Sequence, residues 1–183
     1  NYYGLGNQSD AVDEENYDAT RLETDVSAMR NLKPGKGLFI GPRIQTMWMY
    51  NVESNVDSGF FDRGEVPQGE GGVYNGLGLR FQWDRRKGYT VNNTRRGHFL
   101  SLSAVGFHDQ VLSDASFVLL EADFRKYWSL PTKARDVIAV QLLGRAAPGD
   151  PPFRMMPLLG DSRDLRGYYR GRFRDLYYSS AQI

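Results

Sequence analysis

Strict alternation of apolar and polar residues over long stretches is the feature that most constrains the fold of this chain. The segment GLGLRFQWDRR, residues 76–86, places apolar side chains at Leu77, Leu79, Phe81 and Trp83, and polar residues or glycine fill the positions between. Successive side chains of an extended strand point to opposite faces of the sheet. The segment therefore predicts an amphipathic β-strand.

The same period of two recurs along the chain. It predicts strands at 17–30, 38–50, 97–107, 116–128, 137–145 and 170–182, and Tyr2-Tyr3 is predicted to end another. Several of these segments reach ten residues or more, whereas a strand in a globular protein averages about five or six. A tilted strand that crosses a membrane needs about nine to eleven residues. Strand length therefore favours a membrane-spanning sheet.

The connections between these strands alternate in length. Those predicted at 6–16, 53–74 and 146–169 are long, those at 31–36 and 129–133 are short, and 85–96 is intermediate; only 108–114 is short where a long one is expected. Long loops on one side and tight turns on the other are typical of outer-membrane barrels. Aromatic residues near strand ends, at Trp48, Tyr50, Tyr127 and Trp128, match the interfacial girdles of such barrels.

These observations predict an all-β fold, an antiparallel transmembrane β-barrel. Seven strands are too few to close around a polar interior, and lipid does not tolerate an open sheet edge. Residues 1–183 are therefore expected to be part of one outer-membrane barrel domain that is incomplete at both ends. On the polar face of the strand at 116–128, Glu121, Asp123 and Arg125 are candidates to face the barrel lumen.

Composition argues against catalysis and against nucleic-acid binding. The chain has no cysteine, so thiolate metal sites and cysteine nucleophiles are excluded. His98 and His108 lie ten positions apart on one strand, too far to share a metal ion. The arginine-rich segment RGYYRGRFRD is offset by nearby aspartates, and the formal net charge of the chain is only +1. We expect no enzymatic activity, no metal site, no cofactor and no nucleic-acid partner.

Three motifs, in order, resemble those of the bacterial surface antigen family of outer-membrane barrels. YYGLGN, residues 2–7, resembles the motif before an outer loop, and residues 76–104 resemble a strand–turn–strand unit. In that unit an Asp-Arg pair precedes a turn, here the stretch 94–97; the motif residues are Asp84, Arg85, Arg96 and Gly97. The family's proline before the turn is absent, and an extra arginine is present.

The third motif is the family's inward-folded loop, a hydrophobic residue followed by Arg, Gly and an aromatic. Here it is formed by Leu165, Arg166, Gly167 and Tyr168. The resemblance implies that Arg166 pairs with a carboxylate inside the barrel, and Glu121 and Asp123 are candidate neighbours for it. Such a pair would hold the barrel in shape without making or breaking bonds.

The resemblance also implies the setting of the protein. The family belongs to the superfamily of outer-membrane assembly factors and two-partner secretion translocators, with barrels of roughly sixteen strands, of which this chain would supply seven to eight. The expected location is the outer membrane of a Gram-negative bacterium, and the expected role is assembly and insertion of outer-membrane proteins or translocation of polypeptides. Outer-membrane lipids, unfolded outer-membrane or secreted polypeptides and periplasmic accessory proteins are the expected partners.

Two alternatives stay open. The barrel would in one case only anchor or export an attached domain, such as a patatin-like lipase. In the other, the chain would be a soluble β-sandwich that binds carbohydrate through its aromatic residues. The face that is apolar decides between barrel and sandwich: a barrel exposes an apolar outer band, and a sandwich packs its apolar faces together.

Overall fold

The residues that the structure describes form an antiparallel, all-β fold without helices, as the alternation predicted. The computed structural model describes residues 2–6, 9, 14–90, 93–130, 136–160, 167–169 and 171–183. The strands, in chain order, are β1 Tyr17–Ser27, β2 Arg30–Lys33, β3 Leu38–Ser54, β4 Gly72–Asp84, β5 Lys87–Thr90, β6 Asn93–Phe107, β7 Phe117–Ser129, β8 Val137–Ala146, β9 Leu158–Leu159, β10 Phe173–Arg174 and β11 Tyr177–Gln182.

One curled sheet, shaped like half of a barrel, contains most of these strands. Its order is β1-β3-β4-β6-β7-β8-β11, so each long strand pairs with the next long strand along the chain. The short strands β2 and β5 pair with the beginnings of β3 and β6, and β9 and β10 form a separate pair. The connections that follow β3 and β8 therefore leave the sheet at the same end, and those that follow β2 and β7 leave it at the other.

The boundaries of two predicted strands are wrong. The strand expected at 17–30 ends at Ser27, and β2 resumes its register after a break at Ala28 and Met29. At this break the Ala28 carbonyl lies close to Gly41 of β3: a Cβ on Gly41 would lie 1.8 Å from the Ala28 oxygen. This close approach accompanies a kink that interrupts the strand. The strand expected at 170–182 joins the main sheet only at Tyr177, since Phe173 and the next residue pair with β9 instead.

Two further predictions of local structure also fail. Tyr2 does not end a strand of the sheet: it forms an isolated bridge with Glu15, and its ring is buried among aromatic side chains. Residues 94–97 are not a turn, because they lie in β6, where β5 pairs with them. The hairpin therefore extends further from the sheet than the sequence indicated.

The two faces of the sheet differ sharply in polarity. Residues paired in register share a face, and one row runs through Val26, Ile44, Leu77, Gly106 and Val118 across five neighbouring strands. This convex face is apolar and exposed. The next position along each strand belongs to the concave face, which carries most of the charged side chains of the sheet.

Glycines on the concave face permit the curl. A Cβ on Gly78 of β4 would lie 2.0 Å from the Ala104 oxygen of β6, and one on Gly76 would lie 2.5 Å from the Phe107 ring. Side chains crowd together on the inside of a bent sheet, so positions without a Cβ are where strands can approach most closely. The glycines of the GLGLRF segment thus explain why the sheet bends strongly between β4 and β6.

Residues 147–160, hereafter the covering segment, lie over the concave face at the long-loop end. Met155 packs against a core of Met47, Tyr74 and other apolar side chains of the sheet. Phe153 is fully buried in a second cluster with Tyr2. The hydrophobic core of the described residues therefore lies inside the curl, beneath the loops.

Replacing Gly78 by alanine is expected to destabilise the sheet, because the new Cβ meets the backbone of β6. Overpacking of this kind costs about 1 to 3 kcal/mol, and a thermal melt followed by circular dichroism measures it. Gly144→Ala is the matched control, since nothing lies within 4 Å of the position of its Cβ. Equal melting temperatures for the two variants would show that Gly78 does not set the curl.

Candidate functional site

The candidate site is the charged concave face of the sheet. Alternation within each strand directs its polar residues to this side, and six neighbouring strands contribute to it. The ionisable side chains that form its ion pairs are Asp25, Arg43, Glu121, Asp123, Arg125 and Arg145.

Arg43 of β3 is the centre of this network. Its Nη2 and Nε donate to both carboxylate oxygens of Asp25 on β1, at 2.6 and 3.0 Å. Its Nη1 donates to Ser103 Oγ on β6 at 2.7 Å and to Glu121 Oε2 on β7. The Arg43 side chain is only 8% exposed, while the carboxylates of Asp25 and Glu121 are 38% and 32% exposed. One guanidinium thus joins four strands.

This contact requires a curled sheet. Strands β3 and β7 are three positions apart in the sheet, which corresponds to about 14 Å along a flat sheet at about 4.8 Å per strand. Side chains stand roughly perpendicular to their sheet, so Arg43 and Glu121 would stay apart if the sheet were flat. Gly78 pairs with Arg43 and carries no side chain between them. The ion pair spans the inside of the bend.

The network continues to β8. Arg145 Nε lies 3.3 Å from Glu121 Oε1, an ion pair without hydrogen-bond geometry. Glu121, one of the three lumen-facing candidates, is therefore placed on the concave face between two arginines. No pairing of Arg43 with Glu121 was expected from the sequence, because alternation gives the face of a residue but not its partners.

The other two lumen-facing candidates pair with each other near the short-turn end. Arg125 Nη2 donates to Asp123 Oδ2 at 2.6 Å, and Gln141 Nε2 donates to Asp123 Oδ1 at 3.1 Å. The Phe99 ring lies between two guanidinium groups: that of Arg125 is 5.5 Å from the ring centre, and that of Arg86 is 4.6 Å from it. The Arg125 guanidinium is thus held by the Asp123 carboxylate and by the Phe99 ring.

The strand–turn motif lies beside this cluster. Asp84 pairs with Arg86 at 2.7 Å, and Arg85 donates to the Gly35 carbonyl at 3.0 Å. Gly97 has a φ of +110°, and a Cβ there would lie 2.1 Å from the Arg85 oxygen. The fourth motif residue, Arg96, pairs in register with Lys87 of β5. The motif therefore fixes the base of the β5–β6 hairpin, and Gly97 is required by its backbone conformation.

A cavity of about 400 Å³ separates the concave face from the covering segment. Arg43, Arg145 and Arg154 line it together with Asp25 and Glu121. Because arginines and carboxylates share its wall, its charge is nearly balanced. The covering segment thus partly fills a polar space above the concave face.

The inward-loop motif is described only in part. Leu165 and Arg166 lie outside the described residues, so the expected pairing of Arg166 with a carboxylate stays a prediction. Gly167 has a φ of +93°, and Tyr168 is half exposed with its ring 5.6 Å from that of Phe173. Of the arginines of this loop that the structure describes, Arg174 is buried, and the sequence did not single it out.

A buried carboxylate, Glu15, anchors the longest described loop. It accepts hydrogen bonds from the Ser54 hydroxyl and the Phe60 amide at 2.5 Å each. The sequence predicted only a long connection at 6–16, and Glu15 within it is 2% exposed. Backbone donors that face one point in a folded loop leave no pattern in the sequence, so this role was missed.

The described residues contain no cluster of three or more histidine, cysteine, aspartate or glutamate side chains that could hold a metal ion. His98 contacts Trp83, with ring centroids 4.3 Å apart, and His108 is exposed in the loop after β6. No described helix is long and apolar enough to cross a membrane. The chemistry available on the concave face is recognition by charge and hydrogen bonding.

Comparison with known proteins gives no relative. No protein family model matches the chain, and no curated protein shows significant similarity to it. Functional inference therefore depends on the geometry described above.

Removing the Arg43 charge is expected to weaken the sheet severely. In Arg43→Met, Asp25 loses its partner and Glu121 keeps only Arg145. Because both carboxylates are about one-third exposed, we expect a loss of roughly 1.5 to 3 kcal/mol, the range for a hydrogen bond to a charged group. Urea unfolding followed by tryptophan fluorescence measures this loss. Arg21→Met is the control, because Arg21 and Glu23 form an exposed pair at 3.8 Å that should contribute less than about 1 kcal/mol. Similar losses in both variants would contradict the central role of Arg43.

Proposed function

We propose that this chain forms part of the wall of an outer-membrane β-barrel. The observation that carries the proposal is the inverted polarity of the sheet: its apolar face is exposed and its charged face is covered. Water does not favour this arrangement, since burying charge is costly and exposing a large apolar surface is unfavourable. Hydrocarbon outside and a polar interior would favour it.

The convex face is apolar across the whole sheet. Its exposed large side chains, each 38% to 67% accessible, are Leu22, Val26, Ile44, Trp48, Leu77, Leu79, Trp83, Leu102, Val118, Leu120, Trp128, Ile138, Leu142 and Tyr177. Between the row of Trp48 and the row of Trp83, the register places no Asp, Glu, Lys or Arg at a convex position of the long strands. Asp18 and its partner Glu53 lie on this face beyond the first row, at the long-loop end. Lys126 lies beyond the row of Trp83, with its Nζ 5.7 Å from the Trp128 ring, where a lysine can reach an interface.

The height of this apolar band matches a membrane. Val73 pairs with Trp48 near the long-loop end of β4, and Trp83 pairs with Leu38 near its other end. From Val73 to Trp83 there are ten residue steps, which span about 33 Å along a strand at about 3.3 Å per residue. At the tilt of about 40° common in such barrels, this length projects to about 25 Å, the height of their apolar band.

The polar side chains on the convex face near its long-loop end satisfy each other. Thr46 Oγ1 lies 2.9 Å from Asn75 Oδ1, and Asn75 Nδ2 donates to the Leu112 carbonyl at 2.6 Å. Their hydrogen bonds lower the cost of facing lipid. The band is thus free of unpaired charge between its two aromatic rows.

Within this proposal, the resemblance to the bacterial surface antigen family suggests the finer role. The barrel would act in assembly of outer-membrane proteins or in translocation of polypeptides, with unfolded chains and periplasmic accessory proteins as partners. The covered, charge-lined interior supports a lumen that is partly filled by a segment of its own chain. An anchor for an attached enzyme domain would use the same wall.

A soluble carbohydrate-binding sandwich has less support. Such a fold would cover the apolar face with a second sheet. The small β9–β10 pair instead adjoins the covering segment, on the side of the charged face, and the part of the chain that the structure describes leaves the convex face bare.

Two neighbouring cysteine variants test the proposal. Leu102 is 43% exposed on the convex face, and Ser103 is 8% exposed on the concave face. The chain has no cysteine of its own, so Leu102→Cys and Ser103→Cys can each carry one fluorescent label. In vesicles with nitroxide-labelled acyl chains, we expect strong quenching at position 102 and weak quenching at 103.

The comparison between the two positions controls for folding and for labelling, because they are adjacent in β6. Failure of the protein to insert into vesicles, or equal quenching at both positions, would reject the membrane-wall proposal. Quenching at 103 alone would reverse the assignment of the faces.

A further inference from the structure

Arg174 is a buried cation without a carboxylate partner. It lies in β10, within the arginine-rich loop, and is only 3% exposed. Its Nε and Nη1 are buried and have no hydrogen-bond partner. Among the described residues, no aspartate or glutamate forms an ion pair with it.

Aromatic rings surround this guanidinium. Its Cζ lies 5.2 Å from the Tyr2 ring and 5.0 Å from the Phe153 ring. The Tyr17 hydroxyl lies near it and accepts a hydrogen bond from Arg154, a second cation. Burial lowers the pKa of Arg174 from its ordinary value, and the nearby positive charge of Arg154 adds to this effect. Ring faces attract a cation but do not satisfy its N–H donors.

An unpaired N–H on a buried charged group is costly. A buried donor left unsatisfied bears the full cost of its desolvation, and this cost is larger when the group is charged. Elsewhere on the concave face, Arg43 and Arg125 are each held by carboxylates. Arg174 differs from them, and its surroundings contain space for a missing acceptor.

That space is a cavity of about 300 Å³ bordered by Arg174. Gly6, Leu159, Phe173, Tyr178 and Ser179 also line it. At about 30 Å³ per water molecule, such a volume holds roughly ten waters, enough for a small anion with part of its hydration shell. The cavity therefore adjoins a cation whose donors are unused.

One carboxylate also borders this cavity, that of Asp175. Its Oδ1 accepts the Leu176 amide at 2.7 Å, and it does not pair with Arg174. Asp175 therefore leaves the two donors of its neighbour unpartnered; both are buried, so an anion in the cavity reaches them when the Arg174 side chain turns towards it.

We propose that Arg174 and the adjoining cavity bind a small oxyanion of the phosphate class, either free or as the headgroup of a lipid. The planar fork of a guanidinium matches two oxygens of one phosphate. Arg154, which donates to the Tyr17 hydroxyl, adds a second positive charge nearby. The inference does not depend on whether the sheet spans a membrane.

Thermal unfolding with inorganic phosphate as the probe tests this site. The folded protein, in detergent micelles, is melted with phosphate and with chloride at equal ionic strength. At a phosphate concentration a hundred times the dissociation constant, the melting temperature should rise by roughly 5 °C or more. Arg174→Gln should abolish the rise.

Arg172→Gln is the matched control. Arg172 lies in the same loop, and its guanidinium already donates to the Ser9 hydroxyl and carbonyl at 2.9 and 2.7 Å. This variant should keep the phosphate effect. No rise in the unsubstituted protein, or a rise that persists in Arg174→Gln, would overturn the proposal.

If Arg174→Gln does not fold, Arg174→Lys takes its place, and phosphate binding is measured by titration calorimetry. Lysine keeps the charge and loses the fork, so affinity should fall roughly tenfold, about 1.4 kcal/mol. Unchanged affinity would overturn the assignment.

A short-chain phosphatidic acid separates the two sources of the anion. If a lipid headgroup is the natural occupant, this lipid should stabilise the protein at a lower concentration than phosphate does. If the occupant is a free anion, phosphate should act at an equal or lower concentration. In either case the effect must require Arg174.

Discussion

The shape of this molecule depends on one buried guanidinium that lies inside the curl of the sheet. Arg43 donates to groups on β1, β6 and β7, and these strands converge only if the sheet bends around it. Gly78, opposite Arg43 in register, removes the side chain that would block the bend. Two features therefore favour the bend at the same position. The ion pairs of Arg43 hold the strands together, and Gly78 leaves space for them to approach.

The polarity of the sheet follows from this arrangement. Charges that converge inside the curl leave the apolar positions of the same strands outside, because side chains alternate in direction. The covering segment then closes the inside, where Met155 and Phe153 pack against side chains of the sheet and the long loops. Apart from Lys126 near one end and the paired Asp18 and Glu53 near the other, the outside carries no Asp, Glu, Lys or Arg at the described convex positions of the long strands. This distribution of polarity is the basis of the proposed setting, in which the sheet has an apolar environment outside and a polar one within.

Alternation in the sequence predicted the strands and their faces, because direction along a strand is a local property. It placed Trp83 and Leu120 on one face and Arg43 and Glu121 on the other. It could not predict the pairing of Arg43 with Glu121, 78 residues apart, or the burial of Arg174, since both depend on which strands and loops meet. The kink at Ala28 was missed for the same reason: it arises from contact with Gly41 on another strand. The role of Arg166 stays a prediction.

The chain contains three tryptophans, Trp48, Trp83 and Trp128, and all three lie on the convex face with exposures of 48%, 39% and 46%. Quenching of their fluorescence by lipids brominated at different depths therefore tests the central claim, that the convex face contacts hydrocarbon, without any substitution. We predict strong quenching, greater for bromines near the headgroups than for bromines at the bilayer centre, because the tryptophans lie towards the two ends of the band. Absence of quenching by lipid, together with full quenching by aqueous acrylamide, would contradict the account.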